Sequence, residues 1–125
     1  MQERRTVLVV DDEPFIADVE KVLLERSGYI CRVAHDYDSA VQVHEEMNPD
    51  IVLLDLSMNG KNGMDILESM HEKGESEVYI VSGVNDPDVV ERCMEKGAKG
   101  YLLKPFKARE LVQLIGGKIE KTDKE

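Results

Sequence analysis

The sequence predicts an α/β fold, a doubly wound parallel sheet with helices on both faces. Five short apolar segments alternate along the chain with five segments whose apolar residues recur at helical spacing. The segment at residues 51–54 is apolar at every position, which is typical of a strand that helices cover on both faces. This strand-then-helix order predicts right-handed crossovers between parallel strands.

The five predicted strands differ in polarity, and the difference indicates where each lies in the sheet. Residues 6–10, 51–54 and 78–81 are apolar, with several β-branched side chains, as expected of buried strands. Residues 29–34 mix polar and apolar side chains, which suits an edge strand outside the first strand. Residues 100–103 form a short fifth strand.

The helices are predicted from proline, glycine and apolar spacing. Pro14 fits a first turn, and the helix it begins ends before Gly28, with one apolar face made of Phe15, Ile16, Val19, Val22 and Leu23. Proline disfavours helical geometry in the preceding residue, so a second helix ends before Pro49. This second helix spans residues 39–47. A third helix is predicted at residues 63–70, a fourth from Pro87 with Asp86 as its N-cap, and a fifth from Ala108 to Ile119.

Length and charge limit the classes of function. We expect residues 1–125 to form one domain, with a core at about residues 5–120 and a polar C-terminal tail. The formal net charge is -10, which argues against direct binding to nucleic acid or to an anionic membrane. The first apolar run is too short for a signal peptide, and Cys31 and Cys93 are expected to be buried thiols, so we expect a cytoplasmic protein.

Polar side chains stand at the carboxyl ends of four predicted strands, the edge where open parallel sheets bind ligands. Asp11 and Asp12 follow the first strand, Asp55 the third, Ser82 the fourth and Lys104 the fifth. Carboxylates gathered at one edge need a cation, and hard oxygen ligands suit Mg²⁺ better than zinc. A metal, an ammonium group and a hydroxyl around a carboxylate suit phosphoryl transfer, with Asp55 as the nucleophile.

These residues give the chain a resemblance, over essentially its whole length, to the response-regulator receiver domains of two-component signalling, including the single-domain chemotaxis type. The matching positions are the Asp11–Asp12 pair, Asp55, Ser82, Tyr101 and Lys104–Pro105. The resemblance implies a flavodoxin-like sheet with strand order 2-1-3-4-5. It also implies that Mg²⁺ is held by Asp12, Asp55, the backbone carbonyl of Ser57 and, through water, Asp11. Lys104 would contact the phosphoryl group, and its bond to Pro105 is commonly cis in the family.

By the same resemblance, the chain is a signalling switch and not an enzyme, apart from assisting its own phosphorylation and dephosphorylation. A sensor histidine kinase or a histidine phosphotransfer protein would donate the phosphoryl group to Asp55. The surface of the fourth helix, fifth strand and fifth helix would then change and bind an output partner. Tyr101 is either the switch residue that turns inward or an edge-strand aromatic whose hydroxyl lies in water.

Two positions depart from the family pattern, and other functions compete. Asn59 stands where proline is frequent and Gly83 where alanine is usual, which bears on the lifetime of the phosphorylated state. A phosphatase of the haloacid-dehalogenase type would need an acid at Ser57, and the acids after the first strand would repel a flavin phosphate. A receiver that docks without being phosphorylated remains an alternative. The histidines, which are His35, His44 and His71, are expected at the surface, away from the strand ends.

Overall fold

Five parallel strands alternate with five helices in the computed structural model, which describes residues 5–57, 63–74 and 76–116. In chain order the elements are β1 (Thr6–Val10), α1 (Pro14–Arg26), β2 (Ile30–Ala34), α2 (Tyr37–Met47), β3 (Ile51–Leu54), α3 (Gly63–Glu72), β4 (Glu77–Ser82), α4 (Pro87–Glu95), β5 (Gly100–Leu103) and α5 (Ala108–Leu114). The sheet order is β2-β1-β3-β4-β5, and each neighbouring pair is parallel. The predicted fold class and strand order are confirmed.

The helix ends follow local capping. α2 begins at Tyr37, two residues before the predicted start, because the Asp36 carboxylate accepts a hydrogen bond from the Ser39 backbone amide. The Asp86 carboxylate caps α4 as predicted, accepting from the Asp88 amide at 2.9 Å. α5 ends at Leu114, earlier than predicted, and Ile119 lies outside the described residues.

The sheet separates two apolar layers, because successive side chains of a strand point to opposite faces. One layer lies under α1 and α5 and includes Val7, Val9, Ile51, Leu53, Val81 and Leu111. The other lies under α2, α3 and α4 and includes Leu8, Val10, Val52, Leu54, Ile80 and Cys93. Continued past the strand ends, the alternation assigns Asp11, Asp55 and Lys104 to the first face, and Ser82 and Tyr101 to the second.

The face of α1 that packs on the sheet differs from the prediction. Three residues of the predicted face are exposed, with exposed fractions of 77% for Phe15, 37% for Val19 and 47% for Val22. The other two, Ile16 and Leu23, are half-buried, and Leu23 packs against the core. The side chains buried against the sheet belong instead to Ala17, Glu20 and Leu24. Both sets repeat at helical spacing, and the apolar set is the more conspicuous in the sequence. We call Phe15, Val19 and Val22 the α1 outer stripe.

Two histidines are also corrected. His44 is buried in α2, where its Nε2 lies 3.0 Å from Ser76 Oγ. Because the Ser76 hydroxyl donates to the Pro49 carbonyl at 2.7 Å, its oxygen accepts a hydrogen bond from the His44 ring. His35 is exposed as expected but stands directly after β2, with Nδ1 3.0 Å from the Asp11 carbonyl oxygen. Histidine is therefore used in polar contacts that hold loops at both ends of the sheet.

Other sequence predictions agree with the structure. Cys31 and Cys93 are buried free thiols. On α4, Cys93 faces the core and the neighbouring Met94 is 44% exposed. Within the described ranges, none of the helices combines the length and apolar character that crossing a membrane requires.

Candidate functional site

Three carboxylates meet at the carboxyl end of the sheet. Asp11, Asp12 and Asp55 each offer an oxygen, and these oxygens lie within 4.8 Å of one another. The cause is the register of the two central strands, in which Val10 pairs with Leu54, so that the acids that follow them emerge at the same level. The Asp55 amide donates to the Val10 carbonyl at 3.0 Å and continues the ladder beyond the strand. Asp11 and Asp55 are almost fully buried.

Lys104 joins this cluster from the end of β5, two strands away from β3 in the sheet. Its Nζ lies 2.8 Å from Asp11 Oδ2 and 3.1 Å from Asp55 Oδ2. Burial by itself lowers the pKa of Lys104, but the hydrogen bond to Asp11 and the negative charges of Asp55 and Asp11 outweigh it, so the pKa lies above its usual value. The ammonium group therefore stays charged and offsets part of the repulsion between the carboxylates.

The other carboxylate oxygens of the buried acids are held by local backbone. Asp11 Oδ1 accepts from the Glu13 amide at 2.9 Å, and Asp55 Oδ1 accepts from the Ser57 amide at 3.0 Å. With Lys104 on one oxygen and an amide on the other, each side chain has a fixed orientation. This preorganises the carboxylates for a ligand.

A glycine allows the loop after Asp55 to lie against α3. A Cβ on Gly63 would stand 2.6 Å from Leu56 Cα, closer than real Cβ contacts come. The backbone that carries Asp55 and Ser57 thus packs directly on the first turn of α3. A larger residue at Gly63 would displace this loop.

Ser82 and Tyr101 are linked on the opposite face of the sheet. Ser82 is fully buried, and its Oγ accepts from the Val84 amide at 3.1 Å. The Tyr101 hydroxyl donates to the Val84 carbonyl at 2.7 Å, and burial raises the pKa of the phenol. The alternative in which this hydroxyl lies in water is therefore wrong, while the switch role of Tyr101 stays a prediction. The predicted site residues thus form two groups, which are joined by a hydrogen bond from the Lys104 amide to the Ser82 carbonyl at 2.8 Å.

The donor set fits a hard divalent cation. Three carboxylates supply oxygen ligands, and among the described residues this cluster contains neither histidine nor cysteine, the ligands that zinc prefers. Lys104 offsets only part of the negative charge of the three acids. The Lys104–Pro105 peptide bond is cis, as the resemblance implies.

Sequence reasoning missed Glu20, which lies on the buried face of α1. The side chain is 1% exposed, and its Oε2 has no hydrogen-bond partner within the described part of the chain. Burial, together with the negative charges of Asp11 and Asp55 and against the opposing charge of Lys104, raises its pKa from 4.5 to about 8. The signal in the sequence was its spacing, three residues after Ala17 and four before Leu24, but the apolar set on the same helix concealed it.

Comparison with known proteins identifies relatives of this arrangement. A family model described as the response regulator receiver domain matches residues 7–116. The DNA-binding response regulator MtrA of Mycolicibacterium smegmatis is 32% identical over 122 residues, which are 98% of this chain and 54% of that protein. The chain therefore spans about half the length of the curated relatives it matches.

Solved structures show the same fold. A CheY-like response regulator receiver domain protein from Methanospirillum hungatei has a TM-score of 0.85 and 25% identity, and the match covers 90% of this chain and 91% of that one. A response regulator receiver domain protein from Clostridium thermocellum has a TM-score of 0.83 and 32% identity, with 89% and 90% covered.

The stability of the metal-free protein is expected to fall as the pH rises, because of Glu20. Between the unfolded pKa of 4.5 and the folded value of about 8, the folded state holds a proton that the unfolded state lacks. This contribution is complete below the unfolded pKa and is lost as pH rises through the folded one. The loss should reach on the order of 5 kcal/mol. Urea unfolding with a chelator should show this slope in wild type and not in Glu20→Gln, and parallel slopes would contradict it.

Proposed function

We propose that this chain is a phosphorylation switch in which Asp55 accepts the phosphoryl group. The chain belongs to the response regulator receiver domain family, and this membership is the basis of the proposal. The observation that carries the proposal is the contact of one lysine with two buried carboxylates, Asp55 among them, beside a third acid. This arrangement concentrates positive charge where a dianionic group would form. Asp55 is the acid at the end of the central strand, between the groups that would hold the cation and Lys104.

The chain's own residues position the acceptor. Asp12, Asp55 and the Ser57 carbonyl would hold Mg²⁺ directly and Asp11 through water, and the cation would offset charge on the phosphoryl oxygens. An Asp55 oxygen forms a bond to phosphorus as the bond from phosphorus to the donor's imidazole nitrogen breaks, and the electron pair goes to that nitrogen. Lys104 keeps its charge beside Asp55 and would pair with the new phosphoryl oxygens.

The same groups would assist loss of the phosphoryl group to water, which is the limit of the chain's catalysis in this proposal. Gly83 follows the buried Ser82, and a Cβ there would meet nothing within 4 Å. The side of the site at Gly83 is therefore open, which favours a short-lived phosphorylated state. Asn59, the other departure from the family pattern, lies outside the described residues.

The phosphodonor would dock on the α1 outer stripe. This helix begins at Pro14, two residues after Asp12, and Phe15 in its first turn is 77% exposed. A groove of about 370 Å³ is lined by Phe15, Asp18, Val19, Val22 and Leu23. Exposed apolar surface next to a reactive group is typical of a protein interaction site. A sensor histidine kinase or a histidine phosphotransfer protein would bring its phosphohistidine to Asp55 from this side.

The signal would leave through the Ser82–Val84–Tyr101 contacts. A phosphoryl group that draws the Ser82 hydroxyl toward itself removes the acceptor of the Val84 amide. The Val84 carbonyl, which holds the Tyr101 hydroxyl, must then move, and Val84 lies in the loop that leads into α4. The output partner would bind the surface of α4, β5 and α5.

We extend the proposal to the setting of the chain. Residues 1–125 would act as one receiver domain in the cytoplasm, supported by the family match over residues 7–116 and the two free cysteines. With a net charge of -10, this segment would not bind nucleic acid itself, although relatives such as MtrA are named as DNA-binding.

Acetyl phosphate with Mg²⁺ is expected to add one phosphoryl group to Asp55, because Lys104 and the cation stabilise the charge of the product. Intact-mass spectrometry should show the product in wild type and in Asp65→Asn, an exposed-acid control on α3. Asp55→Asn should show no phosphorylated product. In Asp12→Ala, adding Mg²⁺ should not increase the amount of product. The label should be lost in alkali, as an acyl phosphate is. Equal labelling of Asp55→Asn would overturn the assignment, and an unlabelled wild type would favour the docking module.

Removing the α1 outer stripe is expected to slow transfer from a protein donor without affecting a small one. The donor is the phosphorylated kinase or phosphotransfer protein that labels wild type fastest. The double variant Phe15→Ser, Val22→Ser should reduce the rate of transfer from this donor by about tenfold or more. Labelling by acetyl phosphate should be unchanged. Ile30→Ser, with the same 47% exposure as Val22 but on β2, is the control. Equal slowing with both donors would mean that the variant damages the site.

Beryllofluoride with Mg²⁺ is expected to perturb amide signals from Ser82 to Leu111 as well as those around Asp55. Ser82→Ala should reduce the distant perturbations, since it removes the oxygen that holds the Val84 amide. Tyr101→Phe keeps the ring but removes the hydrogen bond to Val84, so the perturbations should stop before β5. Perturbations confined to Asp12 and Asp55 in wild type would mean that the site binds without switching this face.

A further inference from the structure

Glu20 is an acid in a place where the fold elsewhere puts apolar side chains. It lies between Ala17 and Leu24 on the face of α1 that packs on the sheet, and all three are almost fully buried. By strand alternation this is also the face of Asp11 and Asp55. A buried carboxyl group without a hydrogen-bond partner is costly to the fold, so its presence requires an explanation.

The groups that face Glu20 come from each element that packs around it. Asp11 follows β1, Asp55 follows β3 and Lys104 follows β5, and all three act on its charge. Cys31 of β2 is a further ionisable neighbour, and burial raises its pKa to about 12, so it remains a neutral thiol. α5 contributes the apolar side chains of Leu111 and Ile115. The charge of Glu20 is therefore coupled mainly to the acidic site.

Glu20 lies on the face of the sheet that carries Asp11 and Asp55 but is not one of the clustered ligands. The three carboxylates whose oxygens lie within 4.8 Å of one another are Asp11, Asp12 and Asp55. Glu20 is on a different element, and its Oε2 makes no hydrogen bond to another described residue. A contribution from Glu20 would thus act through space and not through a bond to a cation.

We propose that Glu20 is a fourth acidic group of the site, which does not touch the divalent cation but strengthens its binding through charge. The inference rests on the cation site of the proposed function. In the metal-free site, burial and the negative charges of Asp11 and Asp55 keep a proton on Glu20. A cation bound among these carboxylates reverses the local charge, so Glu20 releases its proton to solvent and its carboxylate attracts the cation across a weakly screening interior. When Asp55 then carries a dianionic phosphoryl group, Glu20 takes a proton back from solvent.

Calorimetric titration with Mg²⁺ tests this directly. The affinity advantage of wild type over Glu20→Gln should grow several-fold between about pH 6 and about pH 9, because only wild type can ionise at this position. Near neutral pH, titrations in two buffers of different ionisation enthalpy should show proton release on binding in wild type and none in the variant. Glu25→Gln, an exposed acid on the same helix, should behave as wild type.

A measurement on unaltered protein guards against a variant that fails to fold. In protein labelled with ¹³C at glutamate carboxyl groups, one carboxyl should titrate with a midpoint near 8 without metal and at a lower pH with Mg²⁺. A constant affinity ratio across pH, or a midpoint that Mg²⁺ does not move, would overturn the proposal. Failure of wild type to bind Mg²⁺ at any pH would instead overturn the cation site itself.

Discussion

The contact of Lys104 with Asp11 and Asp55 is the interaction on which the site depends. Two carboxylates buried this deeply at adjacent strand ends repel each other, and the ammonium group makes the arrangement tolerable. Lys104 follows β5, whereas the acids follow β1 and β3, so the lysine reaches across the end of β4. The contact to Asp11 joins residues 93 positions apart in the chain. The site therefore forms only when β1, β3, β4 and β5 lie side by side in this order.

The two faces of the sheet divide the chemistry between them. Asp11, Asp55, Lys104 and Glu20 lie on the side of α1 and α5, where a cation and a phosphoryl group would change the charge. Ser82 and Tyr101 lie on the side of α2, α3 and α4, and both contact the backbone of Val84. Ser82 stands at the strand end, so one small displacement there can connect the charged face with the surface of α4. Parallel strands make this possible because all of them end at the same edge.

The errors of the sequence-based predictions share a cause. On α1, the apolar set that includes Phe15 and Val22 has the stronger helical pattern, yet the helix packs with Ala17, Glu20 and Leu24 toward the sheet. Pattern alone favours the apolar set, and an interaction surface produces the same pattern as a core. His44 was expected at the surface, but its ring contacts the Ser76 hydroxyl, which in turn donates to the Pro49 carbonyl. Ser76 is 32 residues from His44 in the sequence. Neither contact can be seen in local sequence.

What the sequence by itself determined is the set of strands, their polarity and the polar residue at each carboxyl end, because hydrophobic period and turn residues are local properties. From these came the α/β class and the chemistry available from Asp11, Asp12, Asp55, Ser82 and Lys104. Only the tertiary structure decided which side of α1 is buried, where the Tyr101 hydroxyl bonds, and that Glu20 lies with the acids. Those features depend on how the helices dock and on contacts between segments that are distant in the sequence. The free energy of burial that selects one helix face is summed over the whole apolar layer, so no single segment encodes it.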